Sequence, residues 1–320
     1  MKLIDMHCDT LWKLMDLDGK GDLKKNGCSV NIPAMKKAET AVQFFACFTW
    51  IKDYEETGGY DQAYEHVKEM IAYLRNQEKY YGMDFSIADS WYQIRENETN
   101  EKISAVLTVE EGGVLNGQMK RLEELYAQDV RLMTLIWNYE NCLGYPNSKD
   151  ASVMKQGLKP FGKEVIEYLG ELGMIADVSH ASDGTFWDIL KYAKGPVVAS
   201  HSNCRAIADH PRNLTDEMIH ALSDAGGVAG LNFYGPFLGN PIVSGIEDMV
   251  RHILHMIKVG GSEFPAIGTD FDGFDGMKVL EIPDVSHMEK LWNALKKEGV
   301  SESQLDKIWY GNAARILQNI

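Results

Sequence analysis

The sequence predicts a single (β/α)8 TIM barrel spanning residues 1–320. Three observations carry that reading: eight short apolar runs of strand length, helical patterning in the segments between them, and a metal-capable side chain at or just past the end of five of the runs. The runs are KLIDM (2–6), AVQFFACF (41–48), ISAVLTV (103–109), VRLMTLI (130–136), MIADVS (174–179), PVVAS (196–200), GVAGLNF (227–233) and PAIGTD (265–270). Near-continuous apolar strands, each followed by a helix, are the pattern of a parallel sheet buried on both faces. A doubly wound open sheet is the competing arrangement, but it would struggle to bring groups from strands one, three, five, six and eight to one point. A closed barrel does so at the carboxyl ends of its strands.

Between the runs, apolar residues return every three or four positions, clearest at 60–81, 159–173, 216–226 and 247–261. That period predicts amphipathic helices. In the final segment, Ser301 stands three positions before Gln304, a capping-box spacing, and Trp309, Ile316 and Leu317 are placed to pack it back on the body. The longest stretches without periodicity, about 137–158 and 234–246, follow strands four and seven. Loops of that length inside a compact domain are usually lids or binding loops, and here they would lie on the catalytic face. No internal repeat or linker divides the chain.

A composition of 45% hydrophobic and 25% charged residues is that of an ordinary globular protein. The net charge of −15 argues against a nucleic-acid partner, which needs clustered Lys and Arg. The five cysteines show no CxxC spacing, so neither a disulfide framework nor a zinc knuckle is indicated, and a reducing cytoplasm is the simplest expectation. MKLIDMHCD reaches a charge at position five, and no run of 18 apolar residues occurs, so neither a signal peptide nor membrane insertion is expected. A homodimer is the default for a symmetric soluble enzyme.

The chemistry lies in IDMHCDT (4–10), VLTVEEGG (106–113), ADVSHAS (176–182), VVASHSN (197–203) and IGTDFDG (267–273). His7 and Asp9 are two apart, so on an extended strand end they project to one side. His180 and His201 end consecutive predicted strands, which would be neighbours roughly 5 Å apart. Glu110 and Glu111 are the strand-end carboxylates placed to bridge, of which only one should point inward, and Gly112 and Gly113 after them allow close backbone approach. Imidazole and carboxylate ligands without cysteine suit Zn2+, and less decisively Mn2+, Co2+ or Fe2+. The set is too large for one tetrahedral site, whereas two ions bridged by a carboxylate use it fully and activate a water. Asp270, with Asp272 two residues on, is placed to shuttle that water's proton. Arg205 and Arg212, in the loop after His201, could clamp a carboxylate. His66, His220, His252, His255 and His287 read as surface or structural residues.

With these residues in hand, the chain resembles the membrane dipeptidase (renal dipeptidase) family, peptidase family M19 of the amidohydrolase superfamily. The likeness runs from IDMHCDTLW through VEEGG, QGLKPFGKEVIEYLGELGMIADVSHAS, PVVASHSNCRAIADHPRN and LNFYGPF to IGTDFDG and GNAARIL. The resemblance implies a barrel that hydrolyses dipeptides at a binuclear zinc centre: His7 and Asp9 on one zinc, His180 and His201 on the other, and Glu111, directly before the glycine pair, as the bridge. It implies further that Arg212 holds the substrate's terminal carboxylate, that Asp270 handles the proton of the attacking water, and that Trp12 and Tyr234 line the pocket. The chain departs from the renal members at Trp137, where they carry a histidine that contacts the substrate carbonyl. Family preferences make L,D-dipeptides candidate substrates. An N-acyl-amino-acid deacylase on the same metals and a non-catalytic metal-binding barrel are the alternative readings.

Overall fold

A computed structural model of the chain describes residues 1–16 and 21–320. All eight apolar runs become strands: β1 (Leu3–Asp5), β2 (Thr40–Phe48), β3 (Ile103–Glu110), β4 (Val130–Thr134), β5 (Ile175–Asp177), β6 (Val197–Val198), β7 (Ala229–Leu231) and β8 (Pro265–Ile267). They pair in parallel in the order β6-β5-β4-β3-β2-β1-β8-β7. A further parallel bridge, Ala199 to Ala229, joins the end of β6 to β7 and brings the two edges together. The result is a (β/α)8 TIM barrel. A strand absent from the sequence reading, Phe85–Ile87, pairs beside the first half of β3.

The barrel's interior can be recognised because seven of the eight strands contribute to one cluster: Ile4, Val42, Phe44, Val106, Leu132, Ile175, Val198 and Ala266, with Val228 just before β7. Ala313, Ala314, Ile316 and Leu317 of the last helix, Asn312–Leu317, join that cluster and close the end away from the catalytic loops. Alternate strand residues face outward: Ala105, Leu107 and Val109 of β3 lie in the larger cluster with Leu74, Leu122 and Leu125 of the surrounding helices. Truncating an interior residue such as Leu132 to Ala would cost about 2–5 kcal/mol.

The helices fall where the periodicity places them, at Tyr60–Tyr81, Pro160–Leu172, Asp216–Asp224 and Ile246–Gly260. Ser301 caps the helix Glu302–Asp306 through Gln304 N at 3.2 Å. The reciprocal half of the capping box is missing, because the Gln304 side chain donates instead to Ser262 O at 2.9 Å. Trp309, Ile316 and Leu317 are buried as expected. No helix among the described residues is long and apolar enough to cross a membrane.

Candidate metal centre

Strand order determines which side chains can meet. β5 and β6 are adjacent, with Asp177 opposite Val198, so the turns that follow them bring His180 and His201 together, Nε2 to Nε2 at 3.0 Å. β1 and β8 are also neighbours, with Asp5 opposite Ile267. The loops beyond them carry His7, Asp9 and Asp270, and the backbone N–H of Asp270 donates to His7 O at 3.2 Å. The His7 and His201 rings stack with centroids 3.8 Å apart, so the two halves form one cluster at the carboxyl ends of the strands.

Glu110, not Glu111, occupies the centre of this cluster. Its Oε2 lies 3.3 Å from His7 Nε2, while its Oε1 lies 3.2 Å from His180 Nε2 and 3.5 Å from His201 Nε2. His7, Asp9 and Glu110 form one group able to hold a cation, Glu110, His180 and His201 form another, and His7, His201 and Asp270 a third without Glu110. The expected bridge at Glu111 is thereby corrected, and strand parity is the reason. Val106 and Glu110 share the interior face of β3, whereas Glu111 follows Leu107 and Val109 outward. The Glu111 carboxylate accepts Gly113 N at 2.7 Å, Asn141 Nδ2 at 2.5 Å and Trp137 N at 3.4 Å. Gly113 serves that packing: a Cβ on it would lie 2.6 Å from Glu111 Oε1 and from the Tyr60 ring.

The surrounding hydrogen bonds orient the imidazoles toward a cation. Ser200 Oγ donates to Asp177 Oδ2 at 2.6 Å and therefore accepts from His201 Nδ1 at 2.7 Å, which leaves the His201 Nε2 lone pair free. Asn138 Oδ1 faces His180 Nδ1 at 3.0 Å and fixes the same tautomer there. Two imidazole lone pairs then confront each other across 3.0 Å, an arrangement that repels unless a cation lies between them. Asp9 Oδ1 and Glu110 Oε1 are buried without a hydrogen-bond partner. Buried, unsatisfied carboxylate oxygens are costly, so the donor set fits a divalent metal.

The protein's own charges respond accordingly. Burial, then His7 and Arg212, hold His201 well below its ordinary value; burial, then Arg212, lowers His180 to about 4. Burial also opposes a charge on His7, but Glu110 and Asp9 outweigh it and raise that imidazole. Asp270 is raised to about 7 by burial and, against the attraction of His7, by the charges of Asp9 and Glu110. Its Oδ2 accepts Asn232 Nδ2 at 2.8 Å, and its Oδ1 stands 3.9 Å from His7 Nε2, farther than either Asp9 or Glu110.

Backbone strain concentrates here: His180, Asp270 and Asp272 have φ of 67°, 61° and 68°. Non-glycine residues adopt such angles only where the surroundings enforce them. Asn147 does so for His180, giving its N–H and Nδ2 to His180 O at 2.8 and 3.1 Å. Gly273 is required next to the centre, since a Cβ there would meet Asp9 Oδ2 at 2.3 Å and Asp270 Oδ1 at 2.4 Å.

A cavity of about 330 Å³ opens onto Asp9, Glu110, His180 and Asp270. Half of its lining is aromatic: Trp12, Phe48, Trp50, Trp137, Tyr234, Phe237 and Phe274. Such a volume is at the small end for ligand pockets, which limits it to a small molecule. The two long loops reach it through Trp137, Asn138, Tyr234 and Phe237. Arg212 lies behind the His201 turn, 4% exposed, donating from Nη1 to Ser202 Oγ at 2.5 Å and from Nη2 to His201 O at 2.8 Å. Arg205 points elsewhere and forms a bidentate pair with Asp183 at 3.0 and 2.8 Å.

The discounted histidines lie away from the centre. His66, His220, His255 and His287 pair with Glu69, Asp224, Asp216 and Asp284. His252 is fully buried, accepting Cys204 N at 3.1 Å on Nδ1 and facing Leu238 O at 3.3 Å from Nε2. Sequence reasoning missed Asp177, Ser200, Asn138 and Asn232, which orient His201, His180 and Asp270. Asp177 carried a signal, being a charged residue inside an apolar run three positions before His180.

Comparison with known proteins gives the same direction. The family model described as membrane dipeptidase (peptidase family M19) matches residues 1–320. A Klebsiella pneumoniae protein described as an uncharacterized protein in the pqqA 5' region is 35% identical over 228 residues, which is 68% of this chain and 82% of that one. The Schizosaccharomyces pombe protein called uncharacterized dipeptidase C965.12 is 30% identical over 332 residues, 98% of this chain and 79% of that one. Among solved structures, dipeptidase AC, a metallopeptidase of family M19, matches with a TM-score of 0.90 at 24% identity, covering 100% of this chain and 98% of that one. A metallopeptidase from Rhodobacter sphaeroides, liganded with a phosphinate mimic of the dipeptide L-Ala-D-Ala, matches with a TM-score of 0.88 at 23% identity, covering 100% and 99%. The chain belongs to the membrane dipeptidase family, and it is a metallo-dipeptidase.

Proposed function

We propose that this member of the membrane dipeptidase family is a binuclear zinc enzyme that hydrolyses free dipeptides, L,D-dipeptides included. The observation that carries the reading is Glu110, whose two carboxylate oxygens are divided between His7 on one side and His180 with His201 on the other. His7 and Asp9 would hold one zinc, His180 and His201 the second, and Glu110 both. A donor set of imidazole nitrogen and carboxylate oxygen supports zinc. When bound, such a pair supplies an activated water and polarises the scissile carbonyl. The chain's own residues do the rest. Asp270 takes a proton from the attacking water on Oδ1 and returns it to the departing amine, while Asn232 Nδ2 holds Oδ2 in place. Arg212 has committed two of its five N–H donors to His201 and Ser202 and leaves Nε buried without a partner, which supports assigning it to the substrate's terminal carboxylate. Trp12, Trp137 and Tyr234 enclose the substrate and exclude water.

The Rhodobacter sphaeroides structure, with its L-Ala-D-Ala mimic, supports a D residue on the carboxyl side. Five unpaired cysteines support a reducing, cytoplasmic setting, and a homodimer remains the default assembly. The test is release of free amino acid from L,L- and L,D-dipeptides and their N-acetylated forms, by protein stripped with chelator and refilled with Zn2+. Zinc-restored cleavage of the free dipeptides is expected. Cleavage of the acetylated compounds alone would make the enzyme a deacylase, and silence across the panel with two zincs bound would leave a non-catalytic barrel.

A further inference from the structure

Glu111 is a buried carboxylate that the metal centre does not use, one residue from the carboxylate at its heart. Burying such a group is costly unless it is hydrogen-bonded, and two of the three hydrogen bonds it accepts come from one loop. Oε1 takes Asn141 Nδ2 at 2.5 Å and Gly113 N at 2.7 Å; Oε2 takes Trp137 N at 3.4 Å. Asn141 then ties both ends of its own segment. Nδ2 also donates to Leu135 O at 2.9 Å, and Oδ1 accepts Leu143 N at 2.7 Å and Gly144 N at 3.2 Å. The segment 135–144 is thereby closed on itself and attached to the end of β3. Its outer part carries Asn138, whose Oδ1 meets His180 Nδ1 at 3.0 Å, and Trp137, whose ring lies 4.8 Å from Phe48 and 6.2 Å from His180.

We propose that Glu111 and Asn141 form a buried clip that positions this loop, and through Asn138 sets the tautomer and aim of His180, so that both are positioning residues for one of the two metal sites. The inference rests on the two-metal reading above. It makes the outward parity of Glu111 functional: one carboxylate of the pair faces the ions, and its neighbour holds the loop that orients a ligand. Groups that orient a ligand in this way typically change metal affinity by about 10–100-fold when removed.

The test uses the full chain, stripped of metal and titrated with Zn2+ against a chromophoric chelator, with circular dichroism on the same samples. Glu111→Ala, Asn141→Ala and Asn138→Ala should each weaken one of two zincs by about 10–100-fold and leave the other within about threefold. The Glu111→Ala/Asn138→Ala double variant should bind no more than about threefold weaker than the worse single one, because the two act on the same ligand. Glu111→Gln, which keeps the Oε1 acceptor, should restore most of the affinity. Folded Glu111→Ala with both affinities unchanged, or equal weakening of both zincs, overturns the clip. Should Glu111→Ala and Asn141→Ala fail to fold, unchanged binding by Asn138→Ala overturns it, and selective weakening supports it. Wild-type protein that binds no zinc overturns the two-metal reading and the clip together; two wild-type sites indifferent to Asn138 overturn the clip alone.

Discussion

Asp270→Asn separates proton transfer from metal binding, because the structure lets the amide replace the carboxylate without disturbing its neighbours. The side chains have the same shape, and asparagine tolerates the left-handed φ of 61° at this position. With its amide oxygen placed where Oδ2 lies, the variant still accepts Asn232 Nδ2, a bond of 2.8 Å in the native protein. Asn232 is itself held by Tyr234 N on Oδ1 at 2.7 Å. What the variant loses is a group able to take and return a proton. General acid–base catalysis contributes about 10²–10⁴ in rate, equivalent to about 2.7–5.5 kcal/mol of barrier. Zinc should be retained, since Asp270 Oδ1 stands 3.9 Å from His7 Nε2 where Asp9 and Glu110 stand at 3.2 and 3.3 Å. The assay is kcat and KM on a cleaved dipeptide, with zinc content by mass spectrometry on the same preparation. A fall in kcat of at least about 100-fold with two zincs bound is expected. Near-normal turnover with both metals present would refute the proton-carrying role, and loss of a zinc would show that Asp270 is a ligand instead.

Glu110→Gln should lower the zinc stoichiometry to one or fewer per chain, because an amide cannot offer an anionic oxygen to each side; two tightly held zincs in that variant would contradict the bridging assignment. Arg212→Lys should raise KM by about 10–100-fold with a smaller change in kcat, since a point charge replaces the planar fork; an unchanged KM would remove the carboxylate from its partners. Gly273→Ala drives a methyl group to within 2.3 Å of Asp9 Oδ2, so zinc affinity and turnover should fall together, and wild-type values for both would show that the loop yields. His252 provides the pH dependence. Burial lowers it from 6.5 to about 4, so between those values the unfolded chain binds a proton that the folded chain refuses, and stability falls as pH falls. About 2–3 kcal/mol should be lost between pH 7 and pH 4.5 beyond the loss in His252→Gln, read from denaturant unfolding at each pH; parallel curves for the two proteins would exclude this cause.

The fold was legible because parallel strands buried on both faces appear as unbroken apolar runs. AVQFFACF and ISAVLTV need no alternation to be recognised, and each became a strand. That same property hid which carboxylate occupies the centre of the cluster. Where both faces are apolar, nothing in ISAVLTVEE says which parity faces the barrel axis, so Glu110 and Glu111 are equivalent until register is fixed by pairing with β2 and β4. The resemblance favoured the residue beside the glycine pair, but Gly113 accommodates the Glu111 side chain and Tyr60, and Gly112 accommodates Leu135 and Leu143. The Phe85–Ile87 strand was missed for a different reason: three residues are too few to show a period, and only their position against β3 makes them a strand.

The residues of the cluster were legible to the extent that chemistry is written in residue type. His7, Asp9, His180, His201 and Asp270 are rare groups at strand ends, and the topology brings all five to one point. The groups that orient them are less conspicuous, since serine, asparagine and aspartate near turns have many local uses. Asp5 and Asp177 illustrate the difference. Asp5 accepts Thr269 N at 2.9 Å, Thr269 Oγ1 at 2.8 Å and Gln43 Nε2 at 3.0 Å, tying β8 and β2 to the end of β1. Asp177 accepts Ser179 N and Ser200 N at 2.9 and 2.8 Å, and Thr134 Oγ1 at 2.7 Å, doing the same for β4, β5 and β6. Each buried carboxylate thus fixes the turn that aims a histidine: Asp5 the backbone of His7, Asp177 that of His180 and His201. Their value depends on bonds to strands distant in sequence, and those bonds become visible only once the barrel has closed.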